Sequence, residues 1–496
     1  VTALLLAAGV ALRGAMLLSP KSFWGDEWFS IDLVRNGWFE TLRGAMNDVH
    51  PPLYFLALKA ATVLFGHVDW AYRFVSFAAG LGLLAAIPAL ARSLFGRTEA
   101  RLALFLTALS PYWLQSSNEV RSYSLFAFTA AAGAFLFLQA LDRPNRRAYA
   151  AYACAAVISV YVEHYAWFWI GAATACLGFR LATGRGRDAA AKLLPWHLGA
   201  IGVGFSSFLL AAYQAIYREH VLDLSRVAEY LSPPILVKKL AGIPWHFLCG
   251  YRYSMLTAEA IRERASSDPF FWLSAAVAAA GTFLAAAAFL RLRRERFDAF
   301  VFVGGALVFP IAFLIVVYPI RLDARYLAFA APVFFVLAAR GVALLPRNAR
   351  AVFLTAYAAV ALGGSITSIL APTDPIHKED YRALVSRVLE GAEPGEAVFG
   401  LEPQAVHYQE ALGKRFRADY FPDVYAFVGA PRKAYRTVWA MESVNMHPEV
   451  RARQFRELAA RLEPAGYAPE GGDERFGGPD ALTVLYRFRS KGENRA

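Results

Sequence analysis

Long apolar runs fill the first three quarters of this chain and restrict its fold more than any other feature. A helix of roughly 17–25 apolar residues is needed to cross a bilayer core. Runs approaching or reaching that length lie at 1–18, 71–91, 102–117, 122–141, 148–162, 165–180, 194–215, 270–290, 298–318, 326–345 and 350–370. The expected fold class is therefore mainly α, a polytopic membrane protein with about eleven transmembrane helices. Composition agrees, since 57% of the 496 residues are apolar and 18% charged, which excludes disorder and collagen-like repeats. Beyond Pro372 the sequence reads as an ordinary soluble one. Two domains are expected, a membrane domain over 1–371 and a small α/β domain over 372–496.

Charge divides at the same place. Residues 372–496 carry 18 Lys and Arg against 19 Asp and Glu, leaving 33 against 20 for the rest. The excess stands in short loops at 92–101, 143–147, 180–192, 291–296 and 347–350, where the positive-inside rule expects cytoplasmic loops. That accounts for the net charge of +12 without nucleic acid as a partner. The opposite, outer side then receives 19–70, 118–121, 163–164, the long loop 216–269, 319–325 and the tail. Leu53–Phe65 is short for a span and contains Lys59, so an interfacial helix is expected there. The runs 148–162 and 165–180 are separated only by Glu163-His164, and one long helix in their place would break the alternation of charge. Cys154, Cys176 and Cys249 supply neither a disulfide framework nor a C-x-x-C metal site. The chain opens inside an apolar run without an A-x-A site; its native start is expected upstream, and the run is read as a span rather than a signal peptide.

In the tail, Tyr381, Leu384, Val385, Val388 and Leu389 follow helical spacing and 397–401 reads as a strand. A second helix is expected at 448–462 and a final strand at 482–488. No P-loop, no G-x-G-x-x-G after a strand and no catalytic serine elbow occurs, so a lid or acceptor-docking module is the expectation.

Charged side chains at membrane depth are costly and are paired or functional when present. The outer loops hold Trp24-Gly25-Asp26-Glu27-Trp28, then Asp48-Val49-His50-Pro51-Pro52-Leu53-Tyr54, then Ser116-Ser117-Asn118-Glu119-Val120-Arg121-Ser122-Tyr123. Glu163-His164-Tyr165 and Arg321-Leu322-Asp323-Ala324-Arg325-Tyr326 follow. Each segment alone has a bland reading as an interfacial anchor, a turn or a sealed ion pair, and Arg13 is expected to snorkel to the interface. Together, Asp26, Glu27, His50, Glu119, Arg121, His164 and Arg325 form one polar layer on one side of the membrane. Such a layer suits a polar, anionic ligand at the lipid boundary. A polyprenyl-phosphate sugar has that character: transfer of its sugar needs a carboxylate to accept the incoming hydroxyl proton and cations to stabilise the departing phosphate.

The order W-x-D-E, D-V-H-P-P-L-Y and S-x-N-E-x-R-S-Y resembles the GT-C glycosyltransferases. The likeness is nearest to bacterial relatives of the protein O-mannosyltransferases and of the lipid A aminoarabinose and galacturonic acid transferases. It runs through residues 1 to about 345 and is densest over 22–125, with Leu94-Phe95-Gly96-Arg97 also fitting. The resemblance implies an inverting single displacement from a polyprenyl-phosphate donor, undecaprenyl or decaprenyl, to an extracytoplasmic acceptor glycan, lipid or protein. It implies Asp26 as the catalytic base, with Glu27 beside it and Glu119 orienting the sugar, the acceptor or a cation. His50, Arg121 and Arg325 would hold the phosphate, and Glu119, Tyr123, His164 and Tyr326 would complete donor binding. Asn118 replaces the family's Gln, and Glu163 stands where many relatives have Thr. The carboxylates also permit a divalent metal, since hard cations favour oxygen ligands, although some relatives do without one. The resemblance further implies an integral protein of the bacterial inner membrane, with site and tail facing the periplasm. The 216–269 loop, carrying Glu219, His220, Asp223, Trp245 and His246, is either a gate over the donor or a plain interfacial loop. A lipid-linked oligosaccharide ligase or polymerase, a transporter or flippase of lipid-linked sugar, and a non-catalytic sensor using the tail remain open as other readings.

Overall fold

The computed structural model describes the chain except for residues 1, 218–230, 251–264, 318–321, 372–378, 431–434, 444–447, 477–482 and 492–496. Glu219, His220, Asp223 and Arg321 lie outside the described residues. The chain divides into two compact units, Val1–Ser19 with Leu33–Ile369, and Pro20–Asp32 with Leu370–Ala496.

The first unit is helical. All eleven apolar runs form helices, and among the described residues six are long and apolar enough to cross a membrane: Asp69–Leu94, Tyr123–Asp142, Arg187–Gln214, Pro269–Glu295, Phe297–Val316 and Arg347–Leu370. The other runs are helical but shorter or more polar, as in Thr2–Leu18 and Ala331–Leu344. Arg146–Val162 and Ala166–Thr183 are two helices joined through Glu163, His164 and Tyr165, as the charge alternation requires. Small residues set the helix spacing, because lipid supplies no hydrophobic drive between helices and close backbone approach must. A side chain at Gly341 would collide with the Leu284 carbonyl, and one at Gly305 would meet Ala172 at 2.8 Å.

The run over 102–117 is broken at Ser110, giving Arg97–Leu109 and Pro111–Ser116. Ser110 caps the second piece, accepting from the Trp113 N–H at 3.3 Å, with Pro111 at the first helical position. Because Pro111 has no N–H, the Thr107 carbonyl lacks its usual donor four residues on. Arg13 supplies it, donating to Thr107 at 3.2 Å and to Ala108 at 3.4 Å. Arg13 is thus 1% exposed and does not snorkel to the interface; the carbonyls freed by the break satisfy it in the interior.

Leu53–Phe65 is a 13-residue helix. Its Lys59 is buried and donates to the Val34 carbonyl at 2.9 Å, meeting one of the acceptors that a helix end leaves open.

The second unit is α/β. Its six-stranded sheet comprises β1 (Ala397–Phe399), β2 (Asp419–Phe421), β3 (Thr437–Ser443), β4 (Tyr467–Pro469), β5 (Glu474–Phe476) and β6 (Thr483–Ser490). The order is β2-β1-β3-β6-β4, with β5 also on β6; β2, β1 and β3 run parallel and the pairs with β6 antiparallel. One face buries Val438, Ala440, Val484, Tyr486 and Phe488 against Leu458 and Leu462 of the helix Pro448–Leu462. Gly400 ends β1 at φ 99°, and a side chain there would strike the Met441 carbonyl. The helices Tyr381–Gly391 and Pro448–Leu462 and the strands β1 and β6 stand within a few residues of their expected places.

Candidate functional site

In the helical unit, four non-helical junctions carry the charge. Residues 48–50 precede the helix Leu53–Phe65, and 117–122 join Pro111–Ser116 to Tyr123–Asp142. Residues 163–165 join two further helices, and 322–326 precede Ala331–Leu344.

His50 is the hub. Its Nδ1 lies 2.9 Å from Asp48 Oδ2, while the Arg121 guanidinium approaches its Nε2 at 3.2 Å. With a neutral ring, this arrangement selects the tautomer that donates from Nδ1 and leaves Nε2 accepting. Glu163 Oε2 stands 4.0 Å from the same Nε2 and accepts from the Ser122 hydroxyl at 3.1 Å, while Oε1 accepts from the His164 N–H at 3.1 Å. Asp48, His50, Glu119, Arg121 and Glu163 are all buried. Burial pushes the Asp48 carboxyl up, but the hydrogen bond from His50 and the charges of His50 and Arg121 outweigh it, leaving Asp48 below its usual range.

His164 belongs to the same group. Its Nε2 meets Gln214 Oε1 at 3.0 Å and its Nδ1 the Ser207 hydroxyl at 3.3 Å. The Gln214 amide donates to the Met46 carbonyl at 3.1 Å, tying the helix Arg187–Tyr217 to the loop that carries His50. Burial lowers the His164 pKa despite the neighbouring Glu163, so the ring is largely neutral at pH 7.

Tyr123 links these residues to the last cluster, since Arg121, Arg325, Tyr326 and Glu119 all act electrostatically on its hydroxyl. The Tyr326 ring packs edge-on against Tyr165 at 6.1 Å. Asp323 accepts from the Arg325 backbone N–H at 2.9 Å and from its Nε at 3.3 Å. Burial would raise the Asp323 carboxyl, but Arg325, His246 and Lys239 hold it below its usual range. The structure therefore brings His50, Glu119, Arg121, Tyr123, His164, Arg325 and Tyr326 into one neighbourhood. It adds Asp48, Ser122, Gln214, Lys239 and Asp323, to which the sequence reading assigns no site role, and His246, read there only as part of a loop that is either a gate or interfacial. Asp48 and Asp323 had a local signal, each being an acid two residues before a predicted cation; Gln214 and Lys239 had none.

Asp26 and Glu27 lie in the second unit, in the first turn of the helix Gly25–Arg35. A helix N-terminus favours negative charge. Glu27 is buried and its Oε2 accepts from the Trp24 N–H at 3.0 Å, the reach-back bond of a capping box. Asp26 is exposed. The preceding segment is anchored within this unit: the Phe23 N–H donates to the Tyr408 hydroxyl at 2.9 Å, and the Trp28 ring packs on His407 at 5.3 Å. Among the described residues, no group of three or more His, Cys, Asp or Glu side chains is placed to hold a metal ion.

Helices long and apolar enough to cross a membrane, polar groups gathered at helix ends and an α/β unit mark an integral membrane protein with the GT-C fold, which solved structures share with this chain. Within it, residues 49–210 match the family model of dolichyl-phosphate-mannose-protein mannosyltransferase. The structure is similar to that of ArnT from Cupriavidus metallidurans bound to undecaprenyl phosphate, with TM-score 0.54 and 14% identity over 98% of this chain and 97% of that one. It is also similar to the oligosaccharyltransferase of Archaeoglobus fulgidus. The form tethered to an acceptor peptide gives TM-score 0.51, and the complex with an inhibitory peptide and a dolichol-phosphate gives 0.50. Each is 12% identical over 98% of this chain and 74% of that one. No curated protein sequence matches the chain.

Proposed function

We propose that the protein is an inverting glycosyltransferase that moves a sugar from a polyprenyl-phosphate donor, undecaprenyl or decaprenyl phosphate, to an extracytoplasmic acceptor. The observation that carries this reading is the buried cluster of Asp48, His50, Arg121 and Glu163 at the ends of apolar helices. Cations at that place suit a phosphate held at headgroup depth by a lipid tail. In this reading Asp26 takes the proton of the acceptor hydroxyl, whose oxygen bonds the anomeric carbon as the bond to the phosphate oxygen breaks, with inversion. Arg121, Arg325 and His50 stabilise the departing polyprenyl phosphate. Glu119, Tyr123, His164 and Tyr326 orient the donor, and Glu27 holds the turn that carries Asp26. The acceptor is a cell-envelope glycan, a lipid or a protein, and the site faces the periplasm of a bacterial inner membrane. A transporter would gather its ionisable groups near the bilayer midplane, whereas these stand at helix ends.

Direct binding tests the phosphate site. Polyprenyl phosphate should bind the wild-type protein in nanodiscs, and Arg121→Gln should weaken it roughly 10- to 150-fold, equivalent to about 1.5–3 kcal/mol for a hydrogen bond to a charged group. Equal binding by a monodisperse Arg121→Gln protein would contradict the assignment.

A further inference from the structure

The sheet unit holds a second group of charged and aromatic side chains that the transfer step does not use. A cavity of about 370 Å³ opens between the helix Pro448–Leu462 and the strands β5 and β6, and two arginines, Arg451 on the helix and Arg475 on β5, turn their side chains to this face of the sheet. Asp473 is the one acid in that lining, and it accepts from Arg475 Nε at 2.6 Å. The cavity is therefore left with an excess of one positive charge, that of Arg451. Arg487 stands at the rim, but its side chain lies on the other face of the sheet, over its strand partner Trp439 at 5.4 Å. Arg451 makes no ion pair or hydrogen bond among the described side chains, so its fork is available to a ligand.

The rest of the lining is aromatic and open. Phe455 and Tyr486 pack together at 4.8 Å between centroids, giving a firm apolar wall, and Gly471 and Gly472 leave part of the lining without side chains. Planar guanidinium forks match carboxylate and phosphate oxygens in pairs. An aromatic wall beside them suits the apolar face of a sugar ring, and the volume falls at the lower end of the roughly 300–1,000 Å³ usual for small-molecule sites. A saccharide unit fits that space; a folded protein surface does not.

We propose that this cavity binds an anionic saccharide unit, a uronate or a sugar phosphate. On the transferase reading above, on which this step alone rests, that unit belongs to the acceptor glycan. The cavity would then give the sheet unit a part in choosing the acceptor.

The test uses the full chain in neutral-lipid nanodiscs, with glucuronate, glucose 1-phosphate and glucose as probes followed by calorimetry or saturation-transfer NMR. Saturable binding of the two anionic sugars is expected, with glucose at least tenfold weaker. Arg451→Gln combined with Arg475→Gln should weaken the anionic sugars at least tenfold. Arg451→Lys, which keeps the charge but not the fork, should fall between that double variant and the wild type, guarding against loss through misfolding. Arg489→Gln, whose side chain pairs with Glu470 at 3.3 Å outside the cavity, should bind like wild type. Equal binding of glucose, unchanged binding in the double variant, or binding only to vesicles containing phosphatidylglycerol would overturn the proposal. If donor turnover is absent while glucuronate still binds in this pattern, the transferase reading fails and the saccharide site stands.

Discussion

His50 is held between an acid and a base, and that placing rather than its identity gives it a role. Asp48 accepts from Nδ1, so Nε2 faces Arg121 and Glu163. Asp48 ionises below its ordinary range, so its contribution to stability is complete above the unfolded value of 3.8 and is lost as pH falls through the folded one. It therefore stays charged across any working pH. Asp48→Asn keeps the shape and removes the charge. Donor turnover should drop roughly 10- to 150-fold, following about 1.5–3 kcal/mol for a charge-assisted hydrogen bond, with no new pH dependence between 5 and 8. Turnover within twofold of wild type would show that the pair does not support the site. Arg121 and Arg325 stood out in the sequence as charges in short links between apolar runs, and His50 as part of the D-V-H-P-P-L-Y segment of the first outer loop. Gln214 was not, since it reaches a carbonyl 168 residues earlier in the chain, and no periodicity carries that information.

Among the elements, the helices were legible and their breaks less so. An apolar run reports that a helix is affordable in lipid, yet a serine and a proline inside it decide whether one helix or two forms. At Ser110-Pro111 the break frees the Thr107 carbonyl, and Arg13 from another helix satisfies it. A residue read as an interfacial anchor is thereby a structural donor. Arg13→Met should leave that carbonyl without its donor, at a cost of about 1–3 kcal/mol. Thermal unfolding in detergent should show the first transition lowered by several degrees. An unchanged transition would mean that the broken segment has another donor. In the sheet unit β3 and β6 are the long strands, and only β6 and the short β1 carry a clear signal in the sequence. The three-residue strands β2, β4 and β5 are too brief for a period of two to appear, and their pairing partners, not their own residues, make them strands.

Across the whole molecule, the charge pattern matters most. The positive excess stands in short loops between apolar runs, and the helical unit brings Asp48, His50, Glu119, Arg121 and Glu163 of other loops together as buried groups. The second unit combines Pro20–Asp32 with the tail, a grouping that a division of the chain at Pro372 does not contain. It arises from contacts such as Phe23 with Tyr408 and Trp28 with His407, which join segments nearly four hundred residues apart. Asp26, the proposed base, thus belongs to the same unit as the proposed saccharide cavity. The most direct measurement is release of free polyprenyl phosphate from a panel of polyprenyl-phosphate sugars, wild type beside Asp26→Asn, with an envelope extract as acceptor. Turnover of a donor by the wild type that falls by at least a hundredfold in Asp26→Asn, with lipid binding retained, is the predicted result. Turnover at the wild-type rate in Asp26→Asn, or binding of every donor with consumption of none, would contradict it.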